Sequence, residues 1–231
     1  MKSDLERIIL DTIDIPSLPT VAMKALDLIN NDGSSIDELE KIISQDQSFS
    51  ARLLRIANSP YYGMNLSVAS SLLAKVTKMV KPEEALVSGL IHDVGKTILN
   101  NSIPDKYTLI SQKVYEEGAF FRDVEAEFLG YTHCDVGGLI ARKWKLPKNL
   151  EIVIEYHHSE SLPVFEDSEY EALCQIVNVA DAICISQSIG LKGPENVKVP
   201  YHMVGLSTAG YDKFLELFKA NYAEQKAKLT E

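Results

Sequence analysis

The stretch "SGLIHDVGKTIL", residues 88–99, sets a histidine and an aspartate side by side inside an apolar run. Its apolar residues recur every three or four positions, so it is read as helix, running 82–94 from Pro82 in the first turn to His92-Asp93 at its end. Gly95 then stands where a left-handed cap usually closes a helix. The same spacing holds in both directions from this point, and no segment alternates with period two. "PTVAMKALDLINNDG", "SFSARLLRIANSPYYG" and the capping-box patterns Ser3-Asp4-Leu5-Glu6 and Ser35-Ile36-Asp37-Glu38 mark earlier helices. Further helices are predicted near 66–80, 104–117, 122–130, 132–144, 147–158, 169–189 and 208–228, and "GLKGPENVKVP" (190–200) reads as a surface loop. The fold class is all-α.

With 231 residues, 45% of them hydrophobic, the chain can bury a sizeable core. The Gly and Pro punctuation at 59–63 suggests a soft boundary between an N-terminal helical lobe (1–65) and a helical bundle (66–231), with no linker dividing them. Lys2, Ser3 and Asp4 follow Met1 with no apolar signal region, and no run is long enough to span a bilayer, so a cytoplasmic protein without membrane contact is expected. Cys134, Cys174 and Cys184 are odd in number and lack CxxC spacing, which fits a reducing compartment and no disulfide framework. A formal charge of −10 opposes a broad nucleic-acid surface. It leaves room for a small anion held by one or two local cations.

Four segments offer metal-ligating side chains. His92 and Asp93 end one helix. "YTHCDVGGLIARKW" opens another, with Thr132 as N-cap and His133 in the first turn, where the helix dipole favours the neutral, ligating imidazole. Gly137 and Gly138 let that helix approach a neighbour closely. "IVIEYHHSE" puts His157 and His158 at a helix end. In "ALCQIVNVADAICISQSIGL" (172–191) Asp181 is the only charged residue, and a carboxylate in such surroundings needs a hydrogen-bond partner or a metal. Each piece also has a structural reading: Asp181 bonded to a tyrosine or histidine, His133 packed or capping, His157-His158 as a polar terminus. His202 in "VPYHMV" carries no signal. Together, four of the five histidines at helix ends and two aspartates in apolar segments form an ordered set, HD…H…HH…D.

That set resembles the HD superfamily of metal-dependent phosphohydrolases. More closely, the chain resembles the HDOD branch, the HD-related output domain of bacterial signalling proteins. "IPSLPTVAMKALDLINNDGSSIDELEKIISQDQSFSARLLRIANSPYYG" (15–63) carries that likeness, which extends through "LIHDVGK" and "THCDVGGLIARKWKLP" to Asp181. The resemblance implies an HD-like helical bundle with an N-terminal helical lobe. It also implies a divalent metal (Fe, Mn, Ni, Zn or Mg) on His92, Asp93, His133, His157, His158 and Asp181, with Lys96 as a lysine able to face a phosphate. The chain departs from the superfamily in one place. The first histidine should lie on a helix well before the HD pair, yet residues 1–91 contain none. The interval from Gly63 to His92 is also short, as if a helix or more were absent.

Two functions follow. One is a bacterial signal-transduction output module with a vestigial or structural metal site and a signalling protein partner. The other is hydrolysis of a nucleotide or other phosphate ester by a metal-activated water. The absent upstream histidine favours the module, and neither reading fixes an oligomeric state.

Overall fold

The computed structural model describes residues 9–10, 62–159, 161–189 and 194–228. Apart from 9–10 and 62–65, the expected N-terminal lobe lies outside the described residues. Among the described residues nine α-helices and one 3-10 turn occur, with no strand. In chain order these are α1 (Tyr62–Thr77), α2 (Pro82–Ile91), α3 (Val94–Ser102), α4 (Pro104–Glu117) and α5 (Phe121–Leu129). Then come α6 (His133–Lys143), α7 (Lys148–Tyr156), α8 (Ser168–Ser186), the 3-10 turn Tyr201–Val204 and α9 (Thr208–Lys228). Among these residues no helix is long and apolar enough to cross a membrane, and all three cysteines are free.

The local chemistry explains most boundaries. Pro82 and Pro104 sit in first turns, where the missing N–H costs nothing. Thr132 caps α6 through a full capping box with Asp135, and Gly118 and Gly130 end α4 and α5 in the left-handed conformation. Two expectations change. Gly63, in the punctuation read as a soft boundary, lies in the first turn of α1. The chain also does not stop at Gly95: it turns at His92-Asp93 and restarts as α3, with Gly95 in its first turn. What fixes Gly95 is proximity, not backbone freedom. A Cβ there would lie 1.9 Å from the His133 carbonyl oxygen and 3.0 Å from the Gly137 nitrogen.

Three apolar clusters divide the interior. The largest joins α1, α8, α9 and the 3-10 turn to Ile152 and Val153 of α7. A second lies between α2 and α7, and a third joins α3, α4, α5 and α6 around Tyr107 and Ile110. The helices bearing the chemistry-capable residues are the ones these clusters share.

Candidate metal centre

Asp93 is the hub. It occupies the N-cap position of α3, but its carboxylate makes no cap hydrogen bond and turns inward instead. Oδ1 lies 3.3 Å from His133 Nε2 and 3.6 Å from His157 Nε2, while Oδ2 lies 3.2 Å from His92 Nε2 and 2.7 Å from the Lys96 ammonium. Asp93, His133, His157 and His158 each offer a ligand atom within 4.8 Å of the others, a grouping able to hold a metal ion. His92 and Asp181 flank this group. Asp181 Oδ2 stands 3.7 Å from His158 Nδ1. His157, read from sequence as a helix-end residue, is fully buried inside the centre.

The other ring nitrogen of three histidines is occupied. His92 Nδ1 donates to the Gly89 carbonyl at 2.8 Å, and His157 Nδ1 faces the carbonyls of Val153 and Ile154 at 3.1 and 3.2 Å. His133 Nδ1 donates to Glu125 Oε2 at 2.6 Å. With a proton on Nδ1, the neutral form of each ring turns the Nε2 lone pair toward the Asp93 carboxylate. At His133 this sets a lone pair against Asp93 Oδ1, and neither atom makes a hydrogen bond although both are buried. Two acceptors so close repel unless a cation lies between them. The donor set of imidazole nitrogen and carboxylate oxygen, with partners holding the far side of each ring, fits a divalent transition metal.

The charges agree with this geometry. Burial raises the Asp93 carboxyl, but His92 and Lys96 outweigh it and hold the group well below its ordinary range. Burial pulls the Lys96 ammonium down, and Asp93, Asp181 and Glu125 together keep it above its usual value. Burial, with His157 and His133 adjacent, pushes His158 well below the usual imidazole value. His157 goes the other way: burial lowers it, but Cys134 and Asp93 prevail and raise it.

Three polar residues that sequence reading did not select complete the centre. Glu125 is fully buried and accepts from the His133 ring, the His133 backbone N–H (2.7 Å) and the Tyr107 hydroxyl (2.8 Å). In "FRDVEAEFL" it stands four residues after Phe121, a spacing that does not separate it from a solvated glutamate. Asn178, one turn before Asp181 on α8, donates to the His157 carbonyl at 2.7 Å, and Arg122 donates to the His158 carbonyl at 2.6 Å. These bonds cap the orphan carbonyls at the end of α7 and fix where both histidines project.

Comparison with known proteins agrees with the fold. The family model for the HDOD domain matches residues 15–70 and 64–160, two segments that overlap near the place where the Gly63–His92 interval is short. An HDOD domain protein from Geobacter sulfurreducens aligns with TM-score 0.69 at 21% identity, covering 98% of this chain and 95% of its own. A candidate signal transduction protein from Marinobacter aquaeolei VT8 aligns with TM-score 0.66 at 15% identity, covering 99% of this chain and 64% of its own. A candidate phosphohydrolase from Shewanella amazonensis SB2B gives TM-score 0.54 at 22% identity, covering 96% and 94%. An uncharacterized protein of Treponema pallidum (strain Nichols) is 22% identical over 216 residues, 73% of this chain. The chain spans 42% of the length of that curated relative.

Proposed function

The chain belongs to the HDOD domain family, and we propose that it works as a signal-transduction output module whose divalent metal centre holds shape rather than turning over substrate. The observation that carries this reading is the closure of the centre. His92, His133 and His157 are at most 1% exposed, and the side chain of Asp93, the residue they surround, is 12% exposed. An ion held by Asp93, His133, His157 and His158 would tie together the start of α3, the start of α6 and the end of α7. Asp181 and Asn178 extend that tie to α8. Structural metal sites are closed in this way, whereas catalytic ones keep a position open for water.

The place of Lys96 supports the same reading. A lysine serving a phosphoryl group must present its ammonium to the substrate. This one spends it on Asp93 at 2.7 Å, with the Phe121 ring beneath it at 5.0 Å. In this reading residues 1–65 meet a signalling protein partner. The acidic charge argues against nucleic acid as the partner.

The hydrolase reading is favoured by one observation: Asp93, Lys96 and His158 form the partly exposed edge of the centre, so a small phosphate ester has one approach. Bound there, a divalent ion would supply an activated water and polarise a phosphoryl oxygen. The two readings separate in one experiment on the full chain. Mn2+, Ni2+ or Fe2+ at a hundredfold excess over Kd should stabilise the fold by about 2.7 kcal/mol, a rise of about 5–10 °C in Tm. No phosphate or nitrophenol release from nucleotides, cyclic dinucleotides or bis(p-nitrophenyl) phosphate should accompany it. Rapid release by the wild type, abolished by the double change His92→Ala, Asp93→Ala, would make the protein an enzyme.

A further inference from the structure

In a chain of net charge −10, cations gather at two helix junctions. "KVTKMVK" (75–81) spans the junction of α1 and α2, and "RKWKLPK" (142–148) that of α6 and α7. Together they hold seven of the 23 Lys and Arg residues and none of the 33 Asp and Glu. The two junctions meet in space. Glu84, in the first turn of α2, stands 3.8 Å from the Lys81 ammonium, and its other oxygen accepts from the Asn149 amide at 3.5 Å, beside Lys148. Val80 and Leu146 pin the two stretches to the interior, while Lys75, Lys78, Lys81, Lys143, Lys145 and Lys148 stand exposed.

Helix electrostatics account for only part of this charge. Lys75, Arg142 and Lys143 lie in last turns, where a cation complements the helix dipole, and Arg142 is engaged by Glu151 and Glu155. The other four stand where local energetics disfavour them. Lys78 and Lys145 have φ of 57° and 55°, the left-handed conformation in which a helix end favours Gly or Asn. Lys81 is the N-cap of α2 and Lys148 opens α7, where the dipole favours acids. Each has one acidic partner, Glu84 or Glu151, and their side chains are still 71% and 59% exposed. Positive charge is kept at these four positions against the local preference.

We propose that the two junctions form one docking surface for an acidic segment of a protein partner, whose Asp and Glu side chains meet the lysines. The extent of the patch selects that class of partner. A nucleic-acid strand or an anionic bilayer would run past it onto the rest of the chain, which carries all its acids. A short acidic segment matches the charge within it. Glu84, seated between Lys81 and Asn149, shows that a carboxylate fits the seam. The surface lies outside residues 1–65 and does not involve the metal centre. It rests on the signalling reading above for the existence of a partner and names that partner's chemistry.

The test is fluorescence anisotropy of a labelled Glu-rich peptide titrated with the full chain. Its Gln-for-Glu counterpart, an oligothymidylate and phosphatidylserine vesicles are measured beside it. The Glu-rich peptide should bind, less tightly as salt rises, and the Gln peptide should not. The decisive variant is the double change Lys78→Gly, Lys145→Gly. Glycine suits the left-handed backbone, so Tm should hold or rise, while peptide binding should weaken about tenfold. Lys106→Gln with Lys219→Gln removes two exposed charges elsewhere and should leave binding as it was. Equal binding of the Glu and Gln peptides, or full binding by the glycine variant, overturns the proposal. So does tighter binding of the oligonucleotide or the vesicles than of the peptide, or an equal loss in the Lys106, Lys219 control. If the glycine variant melts below the wild type, Lys81→Gln with Lys148→Gln replaces it. Retained binding there overturns the proposal, and a loss of about tenfold supports it. Phosphate release that depends on His92 and Asp93 would overturn the signalling reading with peptide binding intact, whereas absent peptide binding overturns this proposal alone.

Discussion

Helix α8 belongs to two interiors that are built on opposite rules. Leu173, Val177, Ile183 and their neighbours enter the large apolar cluster with α1 and α9, where no atom needs a particular partner. Asp181 and Asn178 enter the polar centre, where atoms face particular partners: Asn178 donates to the His157 carbonyl at 2.7 Å and Asp181 Oδ2 stands 3.7 Å from His158 Nδ1. The first is held by area removed from water and can relax around a change. The second is held by backbones in contact at Gly95 and Gly137 and by oriented ring nitrogens, so it has little freedom to adjust. A stable helix and a working centre are therefore separate demands on one stretch of chain.

One pair of substitutions can break this comparison. Gly95→Ala inserts a methyl group 1.9 Å from the His133 carbonyl oxygen, with backbone on both sides and no flexible side chain to yield. The start of α3 must then part from α6, and we expect a loss of about 3 kcal/mol or more in urea denaturation, together with loss of metal binding. Leu73→Ala, at a fully buried site in the apolar cluster, should also cost about 3 kcal/mol, yet leave metal affinity unchanged. Equal metal loss in both variants would mean the two interiors behave as one.

The same contrast explains what the sequence reveals. The apolar interior follows from periodicity, and the helices from 104 to 228 fall close to their predicted ranges because apolar spacing and caps agree. Of the centre, Asp93, His133, His157 and His158 are visible as helix-end residues, and Asp181 as a lone charge among apolar neighbours. The helix end at His92-Asp93 is legible, but the immediate restart as α3 is hidden, because Gly95 reads as a closing cap. Only the tertiary contact of Gly95 with α6 demands it. Glu125 is hidden for a related reason. In an acidic chain one more glutamate on an amphipathic helix reads as a solvated charge, and its burial depends on Tyr107 and His133 arriving from distant positions.

Glu125 sharpens the comparison next. Glu125→Gln keeps the volume and one acceptor but removes the charge that faces the His133 N–H. Losing such an outer partner of a ligating histidine should weaken metal binding about 10–100-fold, read by calorimetric titration at constant pH. Near-wild-type affinity would remove Glu125 from the centre and leave it a purely packing-related bond with Tyr107.

The smallest effect, and the most diagnostic of how the polar interior is charged, is the response of the metal-free protein to pH. His158 is held well below the ordinary imidazole value, so folding resists its proton and stability is lost as pH falls through about 6.5. His157 is held above that value, so its contribution is fully present below about 6.5 and is lost as pH rises through its folded value. The two act on opposite sides of about 6.5, so stability should pass through a maximum near that pH. Asp93 and Glu125 are both held low, so their contribution is present above about 4 and disappears as pH falls through their folded values. Urea denaturation of metal-free protein should therefore give greatest stability near about pH 6.5, a decline toward about pH 5.5, and a further decline below about pH 4. His158→Gln removes one side of the balance: its stability should rise on going from pH 7.5 to pH 5.5, because His157 then acts alone. Wild-type stability that stays level from about pH 6.5 to about pH 5.5 would show that burial of His158 carries no such penalty.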